Sequence, residues 1–214
     1  MTRDFSVYLV TDESLSASHS TVEIVERAIK GGVDVVQLRE KGTSARRRYE
    51  LGRKVRELTR AADVPLVVND RIDLAAAIDA DGVHLGDDDR PVAVARERLG
   101  PEAIVGRSVS TPEAAREAER SGADYLGVGA VYGTSSKETT PEQSNVGLDR
   151  VRAIRAATDL PFVGIGGVTP ENAADVVAAG ADGVAVISAI TAAEDPEAAT
   201  RRLAAAVEGV SADA

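Results

Sequence analysis

Several residue types are absent from this chain or scarce in it. The 214 residues include no cysteine and no tryptophan, and aromatic residues make up only 3%. The absence of cysteine excludes disulfides, thiolate metal sites, iron–sulfur clusters and a cysteine nucleophile. No apolar run approaches the roughly 20 residues that a membrane-spanning helix needs, and the start of the sequence, Met1–Ser6, has no hydrophobic signal region. We therefore expect a cytoplasmic protein with no membrane partner.

Positive charge is also in short supply. The chain has 35 acidic and 25 basic residues, and its formal net charge is −10. Because a nucleic-acid partner requires a basic protein face, this balance argues against one. Lysine is much scarcer than arginine and occurs at Lys30, Lys41, Lys54 and Lys137. Such a composition suits a salt-rich cytoplasm, although an ordinary acidic protein has much the same composition.

Short apolar runs alternate with longer helical stretches along the chain. The strand candidates are Val7–Thr11, Val35–Arg39, Leu66–Asn69, Gly82–Leu85, Ile104–Ser108, Tyr125–Gly129, Phe162–Ile165 and Gly183–Ile187. Eight strands leave about 27 residues for each strand–helix unit, a normal size for a (β/α)₈ barrel. We therefore predict an α/β protein with a single TIM-barrel catalytic domain over residues 1–214. An open, doubly wound sheet is the alternative, although it would more often have fewer strands.

The helix boundaries carry signals of their own. We predict helices at Ser20–Lys30, Ser44–Ala62, Pro112–Ser121, Pro170–Ala179 and Pro196–Val207. The sequence Thr-Pro-Glu occurs at residues 111–113 and 169–171, and it places a hydroxyl at the N-cap and proline at the first helical position. A turn of the form Gly-x-Asp recurs where a helix should return to a strand, at Gly32-Val-Asp34, Gly122-Ala-Asp124 and Gly180-Ala-Asp182. This repetition supports the strand–helix alternation.

Charged residues follow strand two, at the barrel face where active sites lie. Gln37, Arg39 and Lys41 alternate there, so they share one face if the extended conformation continues through Lys41. Two inward-facing cations would be costly without an anionic partner. We therefore interpret these residues as a phosphate or pyrophosphate site, and a strand end that merges into a solvated loop is the alternative.

Acidic residues follow strands three and four. Asn69 and Asp70 end strand three, and either could simply cap the next helix. Asp87, Asp88 and Asp89 follow strand four, and such a run before a proline is usually a solvated, helix-capping turn. Carboxylates from neighbouring loops also hold Mg²⁺ when substrate phosphates supply the remaining oxygens. The pair Asp70 and Asp89 is therefore our candidate for Mg²⁺ ligation.

The loop after strand six is the longest irregular stretch, from Ala130 to Val146. It contains Thr134, Ser136 and Lys137, whose hydroxyls and ammonium could wrap a phosphate and exclude water when the loop closes. A flexible surface loop without a binding role is the alternative.

The loops after strands seven and eight fit a second phosphate site. Barrels frequently hold a phosphate between these two loops, on backbone N–H groups at a helix N-terminus. Gly166 and Gly167 would let the backbone approach the phosphate, and Ser188 would add a hydroxyl. The glycines could instead serve only a tight turn. His84 lies within a strand and is interpreted as a hydrogen-bonded core residue, not as a base.

Taken in order, these motifs resemble those of the thiamine-phosphate synthase family. The matching segments are Gln37-Leu-Arg-Glu-Lys41, Asn69-Asp70, Asp81-Gly-Val-His-Leu-Gly86 with Asp89, Gly127-Val-Gly129 with Thr134-Ser-Ser-Lys137, Gly164-Ile-Gly-Gly167 and Val186-Ile-Ser-Ala-Ile190. The resemblance implies a transferase that condenses 4-amino-2-methyl-5-hydroxymethylpyrimidine diphosphate with 4-methyl-5-(2-hydroxyethyl)thiazole phosphate. Pyrophosphate leaves first with Mg²⁺ assistance, and the thiazole nitrogen captures the resulting cation to give thiamine phosphate.

The resemblance also implies a role for each matching residue. Asp70 and Asp89 match the Mg²⁺ ligands, and Gln37 matches the pyrimidine pocket. The pyrophosphate contacts match Arg39, Lys41, Asn69 and Lys137. Hydroxyl positions around the substrates match Ser108, Thr134 and Ser136, and the thiazole-phosphate site matches Gly166, Gly167, Ile187 and Ser188. Among these, the residues assigned to catalysis are Arg39, Lys41, Ser108 and Lys137. No general base is needed, because the thiazole nitrogen already has its lone pair.

Three departures from the family pattern leave alternatives open. Asp87 stands where the family usually has glutamine, so Asp87 or Asp88 could replace Asp89 as the metal ligand. Ser136 stands where threonine is typical, which keeps the hydroxyl, and Tyr132-Gly133 replaces the commoner Phe-Pro.

Three other functions compete with the synthase. A thiazole tautomerase on the same barrel would not need a complete pyrophosphate and Mg²⁺ site. A non-catalytic sensor of thiamine precursors would bind without turnover. A Schiff-base aldolase would place a lysine on strand six, where this chain has Tyr125–Gly129. The expected partners are small phosphorylated substrates, and a homo-oligomer is possible.

The acidic, lysine-poor composition generates a first prediction. If it reflects a salty habitat, the folded fraction and the enzymatic rate should both rise as KCl is raised from low to multimolar concentration. Circular dichroism and product formation measured across this range test the prediction. Folding and activity that do not change with salt would count against it.

Overall fold

The short apolar runs of the sequence form strands, and the stretches between them form helices. The computed structural model describes residues 5–16, 18–133 and 145–211. The strands are β1 (Val7–Val10), β2 (Val35–Leu38), β3 (Leu66–Asn69), β4 (Gly82–Leu85), β5 (Ile104–Val109), β6 (Tyr125–Gly129), β7 (Phe162–Ile165) and β8 (Gly183–Val186). The helices are α1 (Thr21–Lys30), α2 (Ala45–Ala61), α3 (Ile72–Ala77), α4 (Val92–Leu99), α5 (Pro112–Arg120), α6 (Gly147–Arg155), α7 (Ala173–Ala178), α8 (Ser188–Thr191) and α9 (Pro196–Ser211). A short 3₁₀ helix, Glu13–Leu15, lies between β1 and α1.

The eight strands close into a barrel in sequence order. Each strand pairs in parallel with the next, and β1 also pairs with β8. Tyr8 therefore lies opposite Val35 on one side and Ala185 on the other. The closed (β/α)₈ barrel predicted from the sequence is confirmed, and the open sheet is wrong. None of the helices in the described part of the chain is long and apolar enough to cross a membrane.

The apolar core has two layers because side chains alternate between the faces of each strand. Val7 and Leu9 of β1 belong to the outer layer between sheet and helices, whereas Tyr8 and Val10 belong to the layer inside the barrel. Small and β-branched residues fill most of the inner layer. Its members are Phe5, Tyr8, Val10, Val35, Val67, Ile104, Tyr125, Val163, Ala185 and Ile187.

Two boundary predictions that bear on the site are wrong. Strand β2 ends at Leu38, one residue before the predicted end at Arg39, so the condition under which Gln37, Arg39 and Lys41 would share one strand face is not met. Helix α7 begins at Ala173 and not at Pro170. The reason is Asn172, whose Oδ1 accepts the Thr169 N–H at 2.8 Å and whose Nδ2 donates to the Gly167 carbonyl at 3.1 Å. These bonds hold residues 169–172 in a turn. The same Thr-Pro signal at 111–112 does begin helix α5.

The recurring Gly-x-Asp turn has a physical explanation at the amino-terminal face of the barrel. The aspartates of the three Gly-x-Asp turns, together with Asp81 of the related turn Asp79-Ala-Asp81, immediately precede the even-numbered strands: Asp34, Asp81, Asp124 and Asp182. Each carboxylate accepts the N–H of a residue at the start of the preceding strand, at 2.7–2.9 Å. Each aspartate's own N–H donates to the carbonyl of that same residue. Each of these four aspartates thus makes two hydrogen bonds to the preceding strand, and these bonds join neighbouring strands at the base of the barrel.

Arginines from the outer helices complete three of these contacts. Arg56 of α2 binds Asp81 at 2.6 Å, Arg96 of α4 binds Asp124 at 2.8 Å and Arg155 of α6 binds Asp182 at 3.2 Å. The arginine therefore links each helix to the strand pair that it covers. These charged contacts at the amino-terminal face contribute to stability, since the active face of a barrel is the opposite one.

Removing one of these aspartates should destabilise the fold without touching the active face. Asp124→Ala leaves the Val105 N–H and Arg96 without their partner, and it should lower the free energy of unfolding by about 1–3 kcal/mol. Urea denaturation measures the change. The control is Asp149→Ala, whose side chain is 99% exposed in its pair with Arg152; this change should cost less than about 0.5 kcal/mol. Equal losses in the two variants would contradict the assignment.

Candidate active site

One cavity of about 810 Å³ opens at the carboxyl ends of the strands. All the site residues predicted from the sequence that the structure describes line this cavity: Gln37, Arg39, Lys41, Asn69, Asp70, Asp89, Ser108, Gly166, Gly167, Ile187 and Ser188. They come from six of the eight strands or from the loops that follow them. Thr134, Ser136 and Lys137 lie outside the described residues.

The two candidate metal ligands meet at one side of the cavity mouth. Asp70 follows β3 in the left-handed conformation (φ 62°), and its N–H donates to the His84 carbonyl of β4 at 2.9 Å. Asp89 lies in the loop after β4, where its Oδ2 accepts the Gly86 N–H at 2.7 Å. The two carboxylates lie within hydrogen-bonding contact of each other. Lys41 lies beside them, with Nζ 3.1 Å from Asp70 Oδ2.

This contact separates the acidities of the two carboxyls. Burial alone would raise the pKa of Asp70, but the hydrogen bond with Asp89 and the Lys41 ammonium outweigh it and lower that pKa. Burial raises the pKa of Asp89, and the Asp70 carboxylate raises it further against the Gly86 N–H, which lowers it. The pKa values of the two carboxyls therefore move in opposite directions, as expected for like charges in contact.

Neither acidic residue caps a helix. Helix α3 has Arg71 at its N-cap and α4 has Pro91, and neither N-cap makes a side-chain hydrogen bond. The alternative that Asn69 or Asp70 caps helix α3 is therefore wrong. The alternative that Asp87, Asp88 or Asp89 caps helix α4 is wrong as well. Of the three aspartates in that run, Asp89 is in contact with Asp70, whereas Asp87 forms an ion pair with Arg107 at 3.9 Å.

A further acidic residue at the rim of the cavity was not predicted from the sequence. Asp12, just after β1, forms an ion pair with Arg39, and both side chains are largely buried. The loop that carries Asp12 is anchored by the buried Glu40, which accepts hydrogen bonds from the Thr11 hydroxyl at 2.9 Å and the Glu13 N–H at 2.9 Å. The rule that pointed to the other strand ends, applied to β1, would have found Asp12.

The opposite side of the cavity is formed by the loops after β7 and β8. Gly166 and Gly167 have positive φ angles of 101° and 64°. A Cβ on Gly166 would lie 2.5 Å from the Ala130 Cβ, and one on Gly167 would lie 2.6 Å from the Gly133 carbonyl. Both glycines are therefore required by the backbone, and their bare amides border the cavity together with Ser188. The glycines therefore do serve a tight turn. That they also bind a phosphate stays a prediction.

The floor of the cavity is polar. Tyr8 and Tyr125, both fully buried, join through their hydroxyls at 2.7 Å. Gln37 donates to the Tyr8 hydroxyl at 2.8 Å, and His84 contacts Tyr125 at 2.9 Å and Ser108 at 3.0 Å. The interpretation of His84 as a hydrogen-bonded core residue is confirmed. The two tyrosines were missed, because nothing local in the sequence pairs residues 117 positions apart.

Fold and site together define a class of protein. A closed (β/α)₈ barrel with a deep cavity at the carboxyl ends of its strands, where acidic and basic side chains meet, is the architecture of TIM-barrel enzymes.

The particular family follows from sequence comparison. Residues 7–190 match the family described as thiamine monophosphate synthase, and the chain belongs to that family. The family and the transferase class predicted from the sequence are thereby confirmed.

Individual relatives agree over nearly the whole chain. Thiamine-phosphate synthase of Natronomonas pharaonis is 76% identical over 210 residues, which are 98% of each chain. That of Haloarcula marismortui is 66% identical over 96% of this chain and 98% of the relative. Among solved structures, thiamine phosphate pyrophosphorylase from Pyrococcus furiosus is 42% identical and superimposes with a TM-score of 0.88, covering 97% of this chain and 98% of that one.

Alanine at Gly166 should strain the loop that borders the cavity. Because an L side chain rarely adopts φ near 101° and Ala130 occupies the space, Gly166→Ala should lower the free energy of unfolding by about 1–3 kcal/mol. Urea denaturation measures it. Gly209→Ala is the control: it lies in α9 with no atom near a new Cβ, and it should instead stabilise the protein by about 0.5–1 kcal/mol. A neutral Gly166→Ala would show that the loop tolerates a side chain there.

Proposed function

We propose that this chain condenses an aminopyrimidine methyl diphosphate with a hydroxyethylthiazole phosphate, giving thiamine phosphate and pyrophosphate. The observation that carries the proposal is the layout of one cavity in a member of this family. Contacting carboxylates and cations occupy one side, and bare glycine amides with a serine hydroxyl occupy the other. Such a cavity accommodates two phosphorylated substrates with their reacting ends between the two sides.

Asp70 and Asp89 fit a Mg²⁺ ion. Two carboxylates in contact favour a divalent cation that offsets their repulsion, and oxygen is the ligand type that Mg²⁺ prefers. Among the described residues no cluster of three or more metal-ligating side chains occurs, which suits an ion that takes its other oxygens from substrate phosphate and water. When bound, Mg²⁺ would neutralise negative charge on the departing pyrophosphate.

Arg39, Lys41 and Asn69 supply the remaining contacts to the pyrophosphate. Lys41 is half exposed and its ion pair with Asp70 leaves the ammonium at the cavity mouth, where it can bind an entering diphosphate. Arg39 is largely buried and is held in place by Asp12, so its guanidinium is positioned before the substrate arrives. Positive charge placed beside the leaving group stabilises it more as the bond breaks. Lys137, Thr134 and Ser136 would add to this side according to the family resemblance.

The thiazole phosphate is assigned to the glycine side. Gly166, Gly167 and Ser188 would bind it through backbone amides and a hydroxyl, with Ile187 against the ring. The pyrimidine is assigned to the cavity floor, against Gln37 and Ser108. Loss of pyrophosphate leaves a pyrimidine-methyl cation, which the lone pair of the thiazole nitrogen captures, so the reaction needs no general base.

The proposal extends to the whole molecule. Residues 1–214 constitute one catalytic domain that acts in the cytoplasm on small phosphorylated substrates, without a nucleic-acid or membrane partner. Assembly into a homo-oligomer is compatible with this function.

A coupling assay tests the proposal directly. Purified protein, both substrates and Mg²⁺ are combined, and thiamine phosphate is followed by chromatography with and without EDTA. We expect product that EDTA abolishes and excess Mg²⁺ restores. A folded protein that makes no product would refute the synthase, and isomerisation of the thiazole precursor or binding without turnover would identify the tautomerase or the sensor.

Substitutions in the aspartate run test which carboxylate is the metal ligand. Asp89→Asn keeps the size of the side chain but removes its charge, so the Mg²⁺ concentration for half-maximal rate should rise by about tenfold or more. Asp87→Asn and Asp88→Asn are matched controls that border the same cavity, and their Mg²⁺ requirement should stay near that of the wild type. A rise in either control with no rise in Asp89→Asn would transfer the assignment to that residue.

A further inference from the structure

Five side chains from five different strands form one continuous hydrogen-bonded chain across the barrel. It runs from Gln37 of β2 to Tyr8 of β1 (2.8 Å), then to Tyr125 of β6 (2.7 Å), His84 of β4 (2.9 Å) and Ser108 of β5 (3.0 Å). Both ends, Gln37 and Ser108, border the active-site cavity. The middle of the chain connects two cavity residues that need not touch each other.

The two tyrosines in the middle of the chain are buried. Tyr8 and Tyr125 are fully buried, and burial raises the pKa of each phenol well above its ordinary value, so both stay protonated hydroxyls. Gly106 leaves the space that the chain needs, because a Cβ there would lie 2.3 Å from Tyr125 Cζ and 2.5 Å from His84 Nδ1. An ionised phenol therefore does not interrupt the sequence of donors and acceptors.

Each hydroxyl has one proton, so the role of the side chain at one end determines the direction of the whole chain. The Tyr8–Tyr125 contact allows either hydroxyl to donate, and donation by the Gln37 amide to the Tyr8 oxygen favours the order in which the Tyr8 proton goes to Tyr125. The Tyr125 proton then goes to His84 Nδ1, and an imidazole that accepts there carries its proton on Nε2. His84 Nε2 donates to Ser108 Oγ, which leaves the serine proton for the cavity.

We propose that Tyr8, Tyr125 and His84 are positioning residues that couple the polarity of Gln37 to that of Ser108, so that the cavity floor presents an acceptor at Gln37 and a donor at Ser108. To exchange the acceptor role at Gln37 with the donor role at Ser108, the Gln37 amide must flip, both phenols must rotate and His84 must change tautomer. The floor therefore selects a ring with an exocyclic amine, which donates to Gln37 Oε1, and a ring nitrogen, which accepts from Ser108.

This inference rests on the proposed function, which places the aminopyrimidine on the cavity floor. It goes further in predicting discrimination against an oxopyrimidine, whose carbonyl and ring N–H reverse the order of donor and acceptor. A neutral hydrogen bond that is lost or opposed changes affinity by between about tenfold and a hundredfold. Through the hydrogen-bonded chain, the buried residues Tyr8, Tyr125 and His84 thus determine which substrate ring the cavity floor prefers.

The tautomer of His84 tests the direction of the chain in the wild-type protein. The sequence has two histidines, so the ¹⁵N spectrum of histidine-labelled protein contains two imidazoles, and a His19→Asn variant assigns them. We expect His84 in the neutral form with the proton on Nε2. A proton on Nδ1, or an equal mixture of the two tautomers, would overturn the inference whatever the variants do.

Binding of two unphosphorylated probes tests the coupling. The probes are the hydroxymethylpyrimidine with its exocyclic amine and the analogue with an oxo group in its place, and their dissociation constants are measured by calorimetry. The wild type should prefer the amine by at least about tenfold, and Tyr125→Phe should reduce this preference to about threefold or less because Ser108 can then adopt either role. Tyr8→Phe breaks the chain at another point and should give the same result.

Tyr49→Phe is the matched control, because Tyr49 lies on α2 with an exposed side chain outside the chain of hydrogen bonds. It should keep the wild-type preference. A preference that survives in both Tyr125→Phe and Tyr8→Phe overturns the coupling and leaves the proposed function standing. Wild-type protein that binds neither probe and makes no thiamine phosphate overturns both.

Discussion

The contact between the Asp70 and Asp89 carboxylates is the constraint on which the site depends. Like charges remain in contact only if a proton, a lysine or a cation compensates them, and the structure brings both a raised pKa at Asp89 and the Lys41 ammonium to that place. The rim is therefore organised for a charged ligand before the ligand arrives.

The barrel produces this contact through its closure. Asp70 and Asp89 follow neighbouring strands, and parallel strands bring their carboxyl ends to one rim. At the other end, the four aspartate turns and their arginines hold the strands in register. The molecule thus has two separate groups of charged residues: aspartate–arginine contacts at the amino-terminal face, and the cavity carboxylates and cations, for which we propose a binding role, at the carboxyl-terminal face.

Much of the fold and most of the described site could be predicted from the sequence, because local patterns determine strand ends and turns. All eight strands and the Gly-x-Asp turn have such patterns. The predictions failed where individual side-chain contacts, and not local patterns, determine the structure. Asn172 turns the chain back on Gly167 and delays α7, and Asp12 meets Arg39 across 27 residues. Tyr8 and Tyr125 come into contact only because the barrel closes, and no spacing in the sequence predicts this contact.

The central claim is that the carboxylate pair and the cations bind metal and pyrophosphate together. Calorimetric titration of pyrophosphate into the protein, with and without Mg²⁺, measures this directly. The account predicts that Mg²⁺ tightens pyrophosphate binding by about tenfold or more in the wild type, and that Asp89→Asn removes this effect. Pyrophosphate binding of equal strength with and without Mg²⁺ would contradict it.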